Sequence, residues 1–390
     1  MKVVVFGKPG GREQALARKM REQGHEVVLS TNPEAEEADL YVGGPEAPLV
    51  DGMADRLRAQ GKLVFGPGAD GARLEGSKAA MKAILKAAGV PTARYGVFFP
   101  DHQDEVEGFF RRETGPWAIK TDYLAGGKGV LVTGNPEEAT ADAMSKLQKG
   151  KIVVEEALEG REFSVFAVCD GTKAVSFGSA QDYKYLPREG RLYMTGGVGS
   201  YSPVDWINPE LIELVMQTCI QPTLEALQAR GIDYRGVLYW GGMLLPDGRV
   251  MTLEYNIRFG DPEIQAILPR LKSDLAELLL QAAQGNIQMP VEFSDQACVC
   301  VVLCSENYPD TPRTGDFITG VGDAEAMDGV HVLQAGTSQG TAGELLTAGG
   351  RVLNVVAASR SAEAARLLAY QATSRIYWPG IQYHPGIALP

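Results

Sequence analysis

The segment LEYNIRFGDPE, residues 253–263, combines side chains that suit phosphate and metal chemistry. Glu254 and Asn256 alternate along a predicted strand, so their oxygens lie on one face and could bind a single Mg²⁺ ion between phosphates. Arg258 follows on the same face, and its guanidinium suits a carboxylate or an acyl-phosphate. Because burying these polar groups without ligands is costly, the pattern favours a reaction site over a purely structural strand.

Two lysines flank the glycines of a second segment, TDYLAGGKGV, residues 121–130. Lys120 lies on the incoming strand and Lys128 at the exit of the loop. Two ammonium groups around flexible glycines suit a polyphosphate that is covered during the reaction. The GxxxxGK[ST] spacing of a Walker A loop is absent. A plain hairpin with surface lysines is the alternative interpretation of this segment taken alone.

A third candidate site is the glycine turn GKPGGRE, residues 7–13, between the first predicted strand and a helix. Glycines let the backbone approach an anion, and the helix N-terminus supplies N–H donors. The spacing is not GxGxxG and no acidic residue ends the second strand, so a dinucleotide site is not favoured. Arg12 and Glu13 resemble substrate contacts more than packing residues.

Two further segments give weaker signals. The segment EEALEGREFSV contains Glu155, Glu156 and Glu162 and could form a hinge beside an adenine and a ribose, although acidic hairpins are usually solvated surface. Three close cysteines could suggest a metal cluster, but no histidine is nearby and the spacing fits no common zinc pattern. We expect instead a buried strand of small apolar side chains containing Cys298, Cys300 and Cys304.

The order of predicted elements indicates an α/β protein in three parts. Strands and helices alternate over about the first 95 residues, with one helix expected over residues 50–60, and this pattern predicts a parallel sheet. Strands dominate the next part, which also holds a long helix predicted over residues 208–230. We place the three domains at residues 1–97, 98–289 and 290–390.

Composition argues against two classes of partner. The chain has 390 residues, a formal net charge of −12 and no conspicuous cluster of Lys and Arg. A nucleic-acid interface is therefore not expected. No apolar run approaches the roughly 18 residues of a membrane span, and the first residues lack the pattern of a signal peptide. We expect a cytoplasmic protein that binds neither membranes nor nucleic acid.

In their order along the chain, these motifs resemble the glycinamide ribonucleotide synthetase (phosphoribosylamine–glycine ligase) family of ATP-grasp enzymes. The resemblance extends over essentially the whole chain and rests on GGRE, GPEAPLVDG, FGPGADGARLEGSKA, KTDYLAGGKGV, VVEEALEGREFS, QDYK, TGGVGSYSP, GVLYWGGM and LEYNIRFGDPEIQ. It implies an N-terminal parallel-sheet (pre-ATP-grasp) domain, a central α+β ATP-grasp domain with a flap lobe, and a small C-terminal domain.

The resemblance also implies a role for each matching position. The residues implied to bind ATP are Lys78, Lys120, Lys128, Glu155 at the adenine and Glu162 at the ribose. The residues implied to bind Mg²⁺ (or Mn²⁺) are Glu254 and Asn256. The residues implied to line the amine site are Gly10, Gly11, Arg12, Glu13, Pro45 and Glu46. The residues implied around the carboxylate and the reacting atoms are Thr195, Gly196, Gly197, Gly260 and Asp261, with the catalytic candidates Asp182, Lys184 and Arg258.

The implied reaction activates the carboxylate of glycine with ATP as an acyl-phosphate, which the amine of 5-phosphoribosylamine then attacks. Such chemistry needs no covalent enzyme nucleophile, because positioning and neutralisation of charge suffice. The implied partners are these small molecules, and the implied assembly is a monomer or a loose dimer.

The sequence departs from the family pattern near the acceptor. The first domain is shortened after Ser30, and bulky side chains occupy positions 185, 193 and 194. One alternative is therefore a ligase that acts on a different amine or amino acid. A second alternative is a non-catalytic nucleotide-binding protein, against which the presence of Glu254, Asn256 and Arg258 argues.

Overall fold

The computed structural model describes residues 1–124 and 129–389. Its N-terminal part contains a sheet of continuous apolar strands, which is the pattern of parallel strands buried on both faces. The strands pair in parallel in the order β2-β1-β3-β4. They are β1 (Lys2–Phe6), β2 (Glu26–Ser30), β3 (Leu40–Gly43) and β4 (Val64–Phe65). The predicted parallel α/β sheet is confirmed.

The helices of this part are α1 (Gly11–Glu22), α2 (Glu46–Val50), α3 (Met53–Ala59), α4 (Ala69–Gly76) and α5 (Lys78–Ala88), with a 3₁₀ turn at Pro33–Ala35. The prediction of a single helix over residues 50–60 was wrong. Gly52 adopts a φ of +76° and separates α2 from α3, because a left-handed residue cannot continue a right-handed helix. Ser77 caps α5 by accepting from the N–H of Ala80.

A small lobe follows, with an antiparallel sheet in the order β5-β8-β6-β7. Two helices cover one face of this sheet, and the edge-to-face pair of Phe110 and Trp117 is buried between a helix and the sheet. The expected strands around the glycine loop are confirmed, since β6 and β7 pair on either side of it. The elements are β5 (Tyr95–Phe98), α6 (Gln103–Arg112), β6 (Trp117–Thr121), β7 (Val130–Thr133), α7 (Pro136–Leu147) and β8 (Ile152–Glu156).

The largest sheet runs through the central and C-terminal parts in the order β15-β14-β9-β10-β13-β16-β20-β17. The hairpins β11–β12 and β18–β19 lie outside it. The strands are β9 (Arg161–Asp170), β10 (Ala174–Asp182), β11 (Tyr185–Arg188), β12 (Arg191–Met194), β13 (Gly199–Ser202), β14 (Arg235–Leu244), β15 (Val250–Asn256), β16 (Ala297–Cys304), β17 (Val330–Gln334), β18 (Thr337–Gln339), β19 (Leu345–Thr347) and β20 (Arg351–Ser359).

Two features of this sheet bear on the sequence-based expectations. β13 pairs with β16, so the sheet passes without a break across residue 290, where we placed a domain boundary; both domain boundaries, after residues 97 and 289, stay predictions. The cysteine-rich β16 is fully buried, as expected. Among the residues described, no group of three or more His, Cys, Asp or Glu side chains is arranged to hold a metal ion.

The remaining helices are α8 (Pro209–Val215), α9 (Gln221–Gln228), α10 (Glu263–Ile267), α11 (Leu275–Gln284), α12 (Val321–Glu325) and α13 (Ala362–Thr373), with a 3₁₀ turn at Leu268–Arg270. The helix expected over residues 208–230 is interrupted by a π turn at Met216–Ile220. Pro222 follows this turn and has no N–H to donate to the preceding turn, which favours the irregularity. None of the helices in residues 1–124 and 129–389 is long and apolar enough to cross a membrane.

Candidate active site

The end of β15 carries the residues around which the site is built. Glu254 and Asn256 lie two residues apart on this strand, and Arg258 follows directly after it. The Glu254 side chain is 44% exposed, whereas Asn256 is buried. The Arg258 guanidinium donates to Asn256 Oδ1 at 3.2 Å. The alternation seen in the sequence therefore brings the predicted metal ligands and the predicted cation to one place.

Two carboxylates from the N-terminal part hold Arg258. Its Nη2 donates to Glu75 Oε1 at 3.1 Å, and its Nε donates to Glu46 Oε2 at 3.3 Å. Glu75, near the end of α4, also accepts from the backbone N–H of Ile257 at 2.9 Å. Glu46 was among the predicted residues but Glu75 was not, although it lies in the LEGSKA motif. Together these contacts fix the direction of the guanidinium.

The two carboxylates respond differently to the same guanidinium. Burial raises the pKa of Glu75, and the charge of Arg258 only partly offsets this effect. Burial acts in the same direction on Glu46, but Arg258 and Arg12 together outweigh it and lower the pKa of that carboxyl. Burial disfavours the charge of Arg258 itself, yet its two carboxylates prevail and raise its pKa. Arg258 therefore stays cationic within the protein.

The glycine turn after β1 leads into α1 and places two further predicted residues beside Arg258. Arg12 is buried, pairs with Glu13 at 2.7 Å and donates from Nη1 to the carbonyl oxygen of Phe259 at 3.2 Å. A Cβ on Gly11 would lie 2.4 Å from Asn354 Nδ2. The Asn354 side chain of β20 therefore packs directly against the backbone at Gly11, and a larger residue at this position would displace it.

A cavity of about 280 Å³ lies in front of the N-terminus of α1. Gly10, the N-cap residue of α1, lines it together with Gly11 and Arg12. Arg351 and Asn354 of β20 also line it. The predicted amine-site residues at this turn therefore meet a wall supplied by the C-terminal part of the chain.

Two predicted residues, Pro45 and Gly260, are placed by close packing. Pro45 is the N-cap residue of α2, directly before Glu46, and a Cβ on Gly7 would lie 2.1 Å from its Cδ. The glycine turn thus packs onto the segment that carries Glu46. A Cβ on Gly260 would lie 2.4 Å from Glu263 Oε2, so this glycine lets α10 approach the end of the β15 segment.

Arg351 joins two loops that the sequence analysis assigned to the reacting atoms. Its Nη1 donates to the carbonyl oxygens of Gly196 at 2.7 Å and Asp261 at 2.6 Å, and more weakly to that of Gly197 at 3.2 Å. Its Nη2 pairs with Asp261 Oδ2 at 2.8 Å. Burial opposes ionisation of Asp261, but the charges of Arg351 and Arg12 and a hydrogen bond from Gln265 together lower the pKa of this carboxyl. Arg351 was missed because nothing in its local sequence indicates these partners.

Thr195 shapes the first of these loops. Its hydroxyl donates to the carbonyl oxygen of Lys184 at 2.9 Å and accepts from the N–H of Gly197 at 3.1 Å. Gly197 has a φ of +103°, a conformation that favours glycine. A Cβ at this position would also lie 2.9 Å from Asp182 Oδ1, so the turn is tight against the predicted catalytic carboxylate.

Asp182 is the most perturbed carboxyl in this region. Its Oδ1 is buried and has no hydrogen-bond partner among the described residues. Burial, followed by the charge of Glu263, raises its pKa well above the ordinary value. Glu263 was not predicted from the sequence; it is buried and accepts a short hydrogen bond from the Tyr239 hydroxyl. Asp182 is consequently suited to take up a proton at pH values where an exposed carboxylate would not.

Lys184 connects the two sides of the site. Its ammonium lies 3.2 Å from Glu162 Oε2 and 4.0 Å from Glu254 Oε1. Burial favours the neutral amine, but Glu162 and Glu254 outweigh burial and raise the pKa of Lys184. At Glu254, partial desolvation by the surrounding protein atoms is outweighed by the charges of neighbouring cations, Lys184 and Lys120 first, which lower the pKa of that carboxyl. The predicted ribose contact and the predicted metal ligand thus share one cation.

The predicted phosphate-binding lysines described by the structure come from α5 and β6, and both act on the charge of Glu254. Lys120 projects from β6 and pairs with Glu155 Oε1 at 3.0 Å, and Glu155 is almost fully buried. Lys78 begins α5, and its ammonium lies 3.5 Å from the carbonyl oxygen of Tyr123. Burial lowers the pKa of Lys78. Lys128 lies outside the described residues.

Glu254 and Asn256 fit a magnesium ion that is shared with phosphates. Mg²⁺ is usually held by one or two carboxylates together with substrate phosphate oxygens and water, rather than by a complete protein cage. The half-exposed Glu254 carboxylate can reach such an ion. The Asn256 carbonyl oxygen has one Arg258 donor, which leaves it a further acceptor position.

Comparison with protein families gives consistent matches along the chain. Models of the N domain, the ATP-grasp (A) domain and the C domain of phosphoribosylglycinamide synthetase match residues 28–75, 76–264 and 298–389. The phosphoribosylamine–glycine ligase of Streptomyces coelicolor is 46% identical over 356 residues, which is 90% of this chain and 84% of that protein. The enzyme of the same name from Leifsonia xyli is 40% identical, with 100% of this chain and 99% of that protein covered.

Solved structures agree with these matches. The crystal structure of phosphoribosylamine–glycine ligase from Thermotoga maritima superimposes with a TM-score of 0.86 at 31% identity, over 99% of this chain and 100% of that one. The biotin carboxylase domain of 2-oxoglutarate carboxylase from Hydrogenobacter thermophilus shares the fold at 16% identity, with a TM-score of 0.74 over 98% of this chain and 91% of that one.

Proposed function

The chain belongs to the phosphoribosylglycinamide synthetase family, and we propose that the site around Arg258 ligates glycine to 5-phosphoribosylamine with ATP. The products are glycinamide ribonucleotide, ADP and phosphate. The chain is an ATP-grasp ligase that forms a C–N bond in purine biosynthesis. The observation that supports this site is the position of Arg258, which joins the predicted metal strand to Glu46 and Glu75 of the N-terminal part.

In the first step the glycine carboxylate attacks the terminal phosphate of ATP and ADP leaves. Lys78, Lys120 and Lys128 neutralise the phosphates, and Arg258 orients the carboxylate that becomes the acyl-phosphate. Glu254 and Asn256 would hold Mg²⁺ or Mn²⁺, which supplies charge neutralisation between the phosphates. Glu155 acts through Lys120, because its carboxylate is buried against that lysine. Glu162 lies at the ribose.

In the second step the amine attacks the acyl carbon, phosphate leaves, and the nitrogen loses a proton. Asp182 accepts this proton, because burial and the charge of Glu263 raise its pKa above that of an ordinary carboxyl. Lys184 stabilises the oxygen on which negative charge develops. The turn containing Gly10, Gly11 and Arg12 receives the ribose phosphate at the N-terminus of α1.

The remaining predictions concern localisation, partners, assembly and domain boundaries. The substrates are small charged metabolites, so we place the reaction in the cytoplasm, without nucleic-acid or membrane partners. We expect the enzyme to act as a monomer or a loose dimer. The domain boundaries at residues 97 and 289 belong to the same proposal.

The experiment that tests the proposal is phosphate release from Mg-ATP with glycine and freshly generated 5-phosphoribosylamine, each omitted in turn. We expect release that needs both substrates. Hydroxylamine in place of the amine should trap the acyl-phosphate as glycine hydroxamate, which tests the first step alone. Release with a different amino acid or amine only would refute the substrate assignment, and no turnover with any carboxylate would refute a catalytic role.

A further inference from the structure

A lysine that the mechanism does not use is buried behind the predicted ATP-phosphate lysines. Lys82 lies one turn after Lys78 on α5, and its side chain is completely buried. Its ammonium donates to Glu155 Oε2 at 2.8 Å and to Thr92 Oγ1 at 2.5 Å. The other oxygen of Glu155 pairs with Lys120 at 3.0 Å. One buried carboxylate is therefore shared between two lysines.

The same contacts join four segments around the nucleotide side of the site. Lys82 belongs to α5, Glu155 to β8 and Lys120 to β6. Thr92, which accepts from Lys82, in turn donates to the backbone of β15 at Thr252 O, at a distance of 2.8 Å. Lys120 reaches the same strand at Leu253 O, 3.4 Å away. The cluster thus links the small lobe to the strand that carries Glu254.

The charges of this cluster do not cancel. A carboxylate paired with Lys120 alone would form a neutral pair and would weaken the attraction of Lys120 for phosphate. With Lys82 on the second oxygen, the cluster of Lys82, Glu155 and Lys120 carries one net positive charge. The Lys120 side chain is the partly exposed member, at 12%, whereas the Lys82 side chain is fully buried. The surplus charge therefore faces the substrate space through Lys120.

We propose that Lys82 is a positioning residue for ATP. Lys82 holds Glu155 in place, and Glu155 in turn fixes the position of Lys120. Because Lys82 balances the charge of Glu155, Lys120 keeps an uncompensated positive charge toward the phosphates. This inference rests on the proposed function, because it assumes that Lys120 contacts ATP. Lys82 itself touches neither substrate nor metal. Its effect should therefore appear in the affinity for the nucleotide and not in the affinity for glycine.

A purely structural ion pair would behave differently. Replacement of a buried pair member by an apolar side chain changes stability but has no reason to act on one substrate only. Lys82 to Met preserves much of the side-chain volume and leaves Glu155 paired with Lys120, so a buried carboxylate is not left alone. Lys86, one turn further along α5, is exposed and provides the matched control on the same helix.

The charge of Lys82 should also make the ATP affinity of the wild-type protein depend on pH. Burial lowers the pKa of Lys82 to about 8, although Glu155 acts in the opposite direction. The groups that face it are Glu155 of β8, Lys120 of β6, the ring of Tyr95 of β5 at 5.4 Å and the hydroxyl of Thr92. As pH rises through this pKa the cluster loses its surplus charge, so ATP affinity should fall.

The test measures binding of Mg-ATP by calorimetry, and the KM of each substrate, for wild type, Lys82→Met, Lys82→Arg and Lys86→Met. We expect Lys82→Met to weaken ATP binding about tenfold, with the KM for glycine unchanged. Lys82→Arg should recover part of the loss, and Lys86→Met should match wild type. Between pH 7 and 9, ATP affinity should fall in wild type but change less in Lys82→Met.

Several outcomes would overturn the inference. Folded Lys82→Met with wild-type ATP affinity would do so, as would an equal loss toward all three substrates accompanied by a lower Tm. If Lys82→Met does not fold, the pH dependence of ATP binding in wild type decides, and an affinity that is flat across pH 8 refutes the proposal. Failure of wild type to bind Mg-ATP at all would instead refute the proposed function.

Discussion

Two groups of ion pairs in the site differ in character: the pairs of Arg258 with Glu46 and Glu75, here called the acceptor side, and the pairs of Lys184 with Glu162 and Glu254, here called the metal side. On the acceptor side, the side chains of Arg258 and Glu75 are 17% and 9% exposed, and the pair joins the segment after β15 to α4 of the N-terminal part. On the metal side, Lys184 bridges two carboxylates that are about half exposed, Glu162 at 52% and Glu254 at 44%. Exposed pairs are weak and readily exchanged, whereas a buried pair is rigid and costly to break.

This difference indicates how the two halves would respond to substrates. The acceptor side holds Arg258 in one direction before any ligand binds, which is the condition for effective positioning. On the metal side, the pair of Lys184 and Glu254 must give way when a metal ion and phosphates arrive. We therefore expect substitutions on the metal side to affect chemistry with little effect on stability, and substitutions on the acceptor side to affect both.

The largest effect is expected at Glu254. Glu254→Ala removes a predicted metal ligand that is half exposed, so kcat/KM should fall about 10³-fold while the Tm stays near that of wild type. Phosphate release at varied Mg²⁺ and thermal unfolding measure the two quantities. Glu159→Ala, at an exposed glutamate, is the control. Wild-type turnover in Glu254→Ala would show that this carboxylate does not belong to the site.

Arg258→Lys should have the next largest effect. Lysine keeps the charge but lacks the planar guanidinium that contacts Glu46 and Glu75 at once. The kcat/KM for glycine should therefore fall about 100-fold, and the Tm should also decrease. Steady-state kinetics with glycine varied and a melting curve test this. Arg249→Lys, on the exposed turn between β14 and β15, should change neither. Loss of activity without any loss of stability would contradict the view that the acceptor side is the rigid half.

Glu75→Gln tests whether support of Arg258 matters. The amide can still accept from the N–H of Ile257 but provides no charge opposite Arg258, so kcat/KM should fall about tenfold. Asp70→Asn, at an exposed position on α4, is the matched control. An unchanged kcat/KM in Glu75→Gln would mean that Glu46 alone positions the guanidinium.

The smallest effect is expected in the pH dependence of stability. Glu46 has a folded-state pKa below its ordinary value of 4.5, so its stabilising contribution is present above that value and is lost as pH falls through the folded pKa. Glu75 has a raised folded-state pKa, so the free-energy penalty of burying its charged carboxylate is complete above that pKa. This penalty is relieved as pH falls through the folded pKa. Melting curves of Glu46→Gln and Glu75→Gln against wild type should therefore diverge in opposite directions on acidification. If the Tm of both variants changed with pH in parallel, the opposite pKa shifts of Glu46 and Glu75 would be refuted.

The α/β order of the first part was predicted from local patterns, whereas the family and the reaction type were predicted from the resemblance that the motifs carry in their order along the chain. Alternation on one strand was enough to place Glu254 beside Asn256, and the parallel α/β order of the first part was confirmed. The interruption near Met216 was not predicted, since the apolar period of a helix continues across a π turn. The roles assigned to individual site residues stay predictions.

The partners of the site residues could not be predicted from these patterns. A strand pattern shows which face a side chain occupies but not which distant segment packs against that face. Arg258 and Glu75 are 183 residues apart, and Lys82 and Glu155 are 73 apart. Arg351 reaches Asp261 across 90 residues. These contacts depend on how separate elements pack, and a single sequence contains no direct signal for that.

The continuous eight-stranded sheet has a consequence for how the protein is made. β13 lies between β10, formed earlier in the chain, and β16, which ends at Cys304. During synthesis on the ribosome, β13 remains an unpaired edge until β16 has emerged, about 100 residues later, whereas the N-terminal parallel sheet is complete by β4. Exposed edges invite pairing with other chains. We therefore expect nascent chains that stop before β16 to depend on chaperones far more than chains that stop before β5.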